Sequence, residues 1–300
     1  MTYWLVANPK AGDGQRGREF WLEKLADAGV TNPECCDFLE QSWKEQVQPN
    51  DVVMVAGGDG SVNTGAGLCL ERNAILAVLP SGTANDFARN LALPEAPEAI
   101  CELVKSGVTQ LVDVAEFGDG LFLNVAHVGL GTLPARKSQG SAKKLFGRFS
   151  YGLELLRRVG AKRGFHAEIQ CDQAFVSGRW LSIAVSSGAF FGGGNEIPQA
   201  TADDGFLDVI AVKPRPLIQL LLTFVMVQFA GKSPKRTSTL VHLKGKRCDV
   251  LTSRPKTVTV DGDEAGKTPL HAICRKHCLR VIGSSVVSTG SADNEQIEFG

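Results

Sequence analysis

Three hundred residues, 43% of them hydrophobic, can bury one large core or two ordinary ones. With 32 basic side chains against 32 acidic ones, the chain offers no basis for a nucleic-acid or generally acidic partner, and none is expected. It runs directly into Tyr3–Ala7 with no basic segment or long apolar core ahead, which reads as a cytoplasmic protein without a signal peptide; its eight cysteines are scattered as free, mostly buried thiols would be.

The opening strand, residues 3–7, ends in the glycine-bearing loop Asn8-Pro9-Lys10-Ala11-Gly12. Phe20, Leu22, Leu25 and Ala28 then share one face of a predicted helix closed by Gly29, and residues 35–39 form a short strand. After the turn-like Pro49-Asn50-Asp51 come five apolar residues, Val52–Ala56. Such a run predicts a strand covered on both faces, hence a parallel sheet between helices. It breaks into Gly57-Gly58-Asp59-Gly60-Ser61-Val62-Asn63. Glycines there present no Cβ to a ligand and let backbone amides turn towards phosphate oxygens, while Ser61 offers a cap for the helix that follows. Asp59 is out of place in a plain phosphate cradle and makes sense if it holds or orients a magnesium ion bridging phosphates. The alternative is an ordinary turn with Asp59 as its polar residue.

The pattern recurs: Ile75–Pro80 is a second apolar run ending in Ser81-Gly82-Thr83-Ala84-Asn85-Asp86-Phe87. Two strand–loop–helix units then point phosphate-friendly loops the same way, at the carboxyl ends of the strands where open parallel sheets bind ligands. With a helix over 99–104 and a strand over 108–117, the chain to about residue 120 reads as α/β. From Leu121 the texture changes to short runs punctuated by glycine, with strands predicted at 165–170, 174–185, 206–212, 239–243, 247–252, 256–261 and 269–282, the last as two strands joined by a turn. That spacing predicts a mostly antiparallel second domain. Two helical segments interrupt it. Arg136–Arg163 carries nine Lys or Arg against the single acid Glu154, and Pro216–Ala230 is almost wholly apolar. The second is too short for a membrane span, which takes ~20 residues, and reads as a buried helix.

The three loops together resemble the catalytic domain of the diacylglycerol kinase family, particularly its bacterial diacylglycerol- and sphingosine-type lipid kinases. Phe122-Leu123-Asn124-Val125, Gly129-Leu130-Gly131, Phe190–Gly194, Pro198, Asp203–Val209 and Val260-Asp261-Gly262-Asp263 resemble the family's second domain, in order. The resemblance implies an α/β plus all-β protein. Residues 1–122 form a three-layer α/β domain with a parallel sheet, and residues 123–283 an antiparallel β-sandwich that completes the cleft, with the tail from about 284 to 300 packing back on the first domain.

It further implies transfer of the γ-phosphoryl group of ATP to the hydroxyl of a lipid such as diacylglycerol. Asn8, Gly57, Gly58, Gly60, Ser61, Asn63, Gly82 and Thr83 would hold the nucleotide, and Asp59 would meet the catalytic Mg2+ with support from Asp86 and Asp113. The family's general base is the glutamate of an Asp-Gly-Glu motif; here Asp263 matches it, one methylene shorter, with Glu264 next to it as the alternative. A second, structural Mg2+ is implied at the carbonyls of Thr201 and Phe206 and the carboxylate of Asp204, against the plainer reading of an aspartate-rich turn. The basic segment Arg136–Arg163 is the expected site of peripheral membrane contact. Two other functions stay open: phosphorylation of a soluble metabolite in the manner of NAD kinases, suggested by Asn85-Asp86, and a non-catalytic nucleotide or lipid sensor, suggested by Asp263 standing where glutamate is expected.

Overall fold

A computed structural model of the protein describes residues 1–12, 14–38, 40, 42–129, 164–197, 200–215 and 239–283. The segments Arg136–Arg163 and Pro216–Ala230, and the tail from 284, lie outside the described residues. The first half runs β1 (Tyr3–Ala7), α1 (Arg18–Asp27), β2 (Glu34–Asp37), β3 (Val52–Gly57), α2 (Asp59–Arg72), β4 (Ile75–Pro80), α3 (Asp86–Asn90), α4 (Pro97–Ser106) and β5 (Thr109–Phe117). Strands β2-β1-β3-β4 are parallel neighbours, in register at Leu5 with Met54 and Met54 with Ala77.

Alternation along these strands feeds two cores. Trp4, Val6, Val53, Val55, Leu76 and Val78 pack with Val62, Ala66 and Phe87 of α2 and α3. Leu5, Met54, Ala77 and Leu79 pack with Trp21 and Leu25 of α1 and Ile100, Cys101 and Val104 of α4. Burial of each large side chain contributes roughly 1.5–3 kcal/mol, so helices are stabilised on both faces and the domain has three layers. The buried residues of α1 are Trp21 and Leu25, followed by Ala28 at its C-cap, while Phe20 and Leu22 are only half-buried. The helical periodicity was legible there, but its phase is set by the indole of Trp21, whose Nε1 donates to Ser81 Oγ at 2.8 Å.

The second half continues with β6 (Gly120–Phe122), β7 (Val125–Gly129), β8 (Phe165–Cys171), β9 (Ala174–Trp180), β10 (Ser182–Ser186), β11 (Phe190–Phe191), β12 (Asn195–Glu196), β13 (Leu207–Val212), β14 (Leu240–Gly245), β15 (Arg247–Thr252), β16 (Thr257–Val260), β17 (Asp263–Lys267) and β18 (Leu270–Ile282). One antiparallel sheet has the order β14-β13-β10-β7-β16-β17. It packs through Val128, Ile183, Val185, Val209 and Leu243 onto Ile169, Cys171, Cys248, Val250 and Leu270 of a second sheet, which makes the sandwich. The predicted strand over 174–185 is two: β9 pairs with β8 in one sheet, and the chain crosses at Leu181 so that β10 joins β7 and β13 in the other.

The stretch expected as two strands and a turn is instead one 13-residue strand, β18, with a bulge between Arg275 and Leu279 where His277 takes a φ of 50°. A bulge adds residues without reversing direction, so both halves stay paired with β5. The first half of β18 pairs with β15 in the sandwich, and its end meets β4, Val281 against Leu76. A single ten-stranded sheet therefore runs through both halves of the protein. Among the described residues no helix is long and apolar enough to cross a membrane.

Candidate active site

The loops after β1, β3 and β4 meet at the carboxyl edge of the parallel sheet. Asn8 Nδ2 donates to Ser61 Oγ at 2.8 Å, and its Oδ1 accepts from Lys10 N at 3.0 Å. Ser61 thus does not cap α2. The helix begins at Asp59 behind Gly58, which makes no side-chain cap bond, and Ser61 lies inside the first turn as a partner of the neighbouring loop. The loops approach so closely that a Cβ on Gly82 would strike Gly58 Cα, and one on Gly12, at a φ of 60°, would strike the Ser81 carbonyl. Asn85, left-handed at a φ of 51°, closes the third loop by accepting from Gly82 N at 2.9 Å and donating to Gly82 O at 3.0 Å. The Gly82 amide is therefore engaged within its own loop, and Thr83 stands exposed at the tip. The first-turn amides of α2 face the same space, which suits an anion.

Asp59 is held from both halves of the protein. Its Oδ1 accepts from Phe87 N at 3.0 Å and from Asn124 Nδ2 at 3.3 Å. Burial, then the negative charge of Asp86, push its carboxyl above the ordinary aspartate range, opposed by these hydrogen bonds. Asp86, 4% exposed, accepts from the amides of Gly193 and Gly194 at 2.8 and 2.7 Å and pairs with Arg89 at 3.3 Å. It acts on Asp59 by repulsion and fastens α3 to the β11–β12 hairpin. Asn90 continues the seam, donating to Asn124 Oδ1 at 2.9 Å and accepting from Phe190 N at 2.9 Å. Asp113, expected beside Asp59, is engaged elsewhere: its carboxylate takes Gly205 N at 2.5 Å and His277 N at 2.8 Å.

Asn63 also leaves the nucleotide loops. Its Nδ2 donates to Leu121 O at 3.0 Å and to Asp261 Oδ2 at 2.9 Å. Asp261 accepts in addition from the amides of Leu123, Asn124 and Val125 at 2.9, 3.0 and 2.9 Å. Four donors favour its charged form, yet burial outweighs them and pushes its carboxyl up to about 6. The Asp261 knot sets the start of β17, and a Cβ built on Gly60 would lie 3.0 Å from Asp263 Oδ2. The exposed Asp263 carboxylate thus stands over the first turn of α2, and strand alternation turns the adjacent Glu264 to the other face. The roles of Asn90, Asn124 and Asp261 escaped sequence reasoning, although Asn124 and Asp261 sit in motifs that carried the resemblance.

Residues 2–117 match the family described as diacylglycerol kinase catalytic domain, and residues 125–283 that described as YegS C-terminal NAD kinase beta sandwich-like domain. The chain belongs to the diacylglycerol kinase and YegS-type lipid kinase family. It is 30% identical over 232 residues to a "Probable lipid kinase YegS-like" of Pseudomonas fluorescens, covering 76% of each chain. It is 24% identical to a diacylglycerol kinase of Staphylococcus aureus (strain bovine RF122 / ET3-1) over 98% of each. Among solved structures, that of a proposed diacylglycerol kinase from Bacillus anthracis str. Sterne matches with a TM-score of 0.77 at 26% identity, over 95% of this chain and 98% of that one.

Kinases of this family use ATP, and the two magnesium positions implied for them fare differently here. Asp59 fits: it is a half-buried hard-oxygen donor that feels the negative charge of Asp86, which a cation would offset. The Thr201, Asp204 and Phe206 position does not fit. Asp204 Oδ2 is ion-paired with Lys244 Nζ at 2.6 Å, and its Oδ1 accepts from Phe206 N at 2.9 Å.

Proposed function

We propose that this chain is an ATP-dependent lipid kinase whose acceptor is the hydroxyl of diacylglycerol or a related lipid alcohol, with Asp263 as general base. The observation that carries the reading is the Asp263 carboxylate over the first turn of α2, facing the loops that present Asp59. The acceptor oxygen attacks the γ-phosphorus and its proton passes to Asp263; the bond from that phosphorus to the β–γ bridging oxygen breaks, and ADP leaves. First-turn amides of α2 and the Asn8 and Thr83 loops orient the phosphates, while Asp86, Asn90 and Asn124 keep the two walls at a fixed distance. Positioning of this kind supplies most of the catalysis in phosphoryl transfer. Magnesium bound at Asp59 would neutralise charge on the phosphates. Aspartate in place of the family's glutamate requires the acceptor to come closer to β17, because a base must lie within ~3 Å of the hydroxyl it activates.

Transfer from γ-labelled ATP to a total lipid extract, beside NAD and buffer controls, tests this reading. Label in chloroform-soluble product that requires Asp263 supports it. Label in NAD alone moves the protein to the soluble-metabolite reading, and nucleotide binding without any transfer to the sensor reading.

A further inference from the structure

The turn at residues 201–206 is tied to the rest of the protein at several points, and the one carboxylate of the implied ligand set, Asp204, is already engaged. Asp113 grips it from the inside, donating its amide to Ala202 O at 2.8 Å and accepting from Gly205 N, while His277 Nε2 reaches Asp203 O at 2.8 Å. Above it, sheet register sets Lys244 of β14 directly opposite Asp208 of β13. Lys244 Nζ lies 2.6 Å from Asp204 Oδ2 and 3.6 Å from Asp208 Oδ2. The remaining oxygens are taken as well, Asp204 Oδ1 by Phe206 N and Asp208 Oδ1 by His242 Nε2 at 2.6 Å. Lys244 and Lys246 further flank the Phe206 ring, their Nζ atoms 6.0 and 5.9 Å from its centroid. Burial works against the Lys244 charge, but the hydrogen bond to Asp204 and the charges of Asp208 and Asp204 outweigh it and hold its pKa above the ordinary lysine value.

We infer that Lys244 is a built-in substitute for the structural magnesium ion of this family: its ammonium neutralises Asp204 and Asp208 and leaves the turn with no divalent-cation site. An ammonium and a dication cannot share Asp204 Oδ2 without strong mutual repulsion. Mg2+, which dehydrates reluctantly, would have to shed water and move a covalently tethered cation off that carboxylate at once. The inference concerns this turn alone and stands whether or not the acceptor is a lipid.

The test uses nucleotide-free, full-length protein titrated with Mn2+ and read by electron paramagnetic resonance, with melting temperatures in Mg2+ and in EDTA. Wild type and Asp204→Asn are expected to bind the same amount of Mn2+, and Mg2+ in place of EDTA to shift their melting temperatures equally. Lys244→Met should gain one Mn2+ site that the double variant with Asp204→Asn lacks, and Mg2+ should raise its melting temperature. A wild-type Mn2+ site that disappears in Asp204→Asn overturns the inference, as does a folded Lys244→Met that gains no site. Should Lys244→Met not fold, the wild-type and Asp204→Asn titrations decide the matter alone.

Discussion

The two walls of the active site are held in place by different physics. The nucleotide wall is backbone against backbone: the loops at Gly12, Gly58 and Gly82 touch where no Cβ fits, over a strand whose residues Val52–Ala56 are each at most 1% exposed. The second wall is carboxylate against amide: Asp261 binds four N–H donors, and Asp86 takes two more across the seam. Packing of the first kind is rigid and indifferent to pH. Contacts of the second kind are directional, and each depends on one carboxylate finding its amides, so the second wall keeps its place only while those hydrogen bonds are intact.

The largest effect is expected where the walls meet. Asp59→Ala should lower phosphoryl transfer by ~10³-fold while the melting temperature changes little, since a carboxylate beside phosphates neutralises charge and adds little packing. Near wild-type turnover in that variant would remove Asp59 from the reaction. Next in size, Asp263→Asn should lower kcat by ~10²-fold with ATP affinity unchanged, and Glu264→Gln should be nearly silent. The opposite ranking of these two variants transfers the role of base to Glu264.

Asp261→Asn probes the second wall itself. An amide cannot accept four N–H donors, so loss of roughly 1–3 kcal/mol in stability is expected at neutral pH from the mismatched bonds, together with a fall in kcat at unchanged ATP affinity. The pH dependence has a definite sign. Burial raises the Asp261 pKa from 3.8 to about 6 in the folded protein, so between those values the folded state keeps a proton that the unfolded chain has released. Stability from this group is therefore full below pH 3.8 and is lost as the pH rises through 6. Melting curves from pH 4 to 7 should show wild type losing ground to Asp261→Asn across that window; parallel curves would rule out titration at the knot.

The smallest effect is expected from the basic segment Arg136–Arg163, which the sequence suggests as the membrane contact. Each Lys or Arg near an anionic surface contributes ~1 kcal/mol, reduced by screening, so replacing Lys143, Lys144 and Arg148 with Gln should weaken sedimentation with anionic vesicles roughly tenfold at low salt. Activity on a short-chain, water-soluble acceptor should be spared. Vesicle binding that survives all three changes places the membrane contact elsewhere.

Local chemistry was enough to read the first wall. A five- or six-residue apolar run bounded by turn residues is too short for a buried helix and reads as a strand covered on both faces, and glycines at its end mark backbone that must turn or be closely approached; both properties reside within a dozen residues, so β3, β4 and their loops were legible. The second wall was not, because its contacts join residues far apart in the chain: Asn63 and Asp261 are 198 positions apart, and Asp86 and Gly194 108 apart. Which amide such a carboxylate finds depends on strand register and on how two sheets pack, and a residue's own neighbours carry no record of either. The same holds for β18, whose bulge looks locally like a turn until β5 pairs on both sides of it, and for Lys244, an ordinary surface lysine by sequence that register with β13 sets over Asp204. Sequence by itself determined the strands and loops of the first half and the family; tertiary structure alone decided which amides each carboxylate binds, because that depends on register and on how the sheets pack, and it alone set a lysine over Asp204.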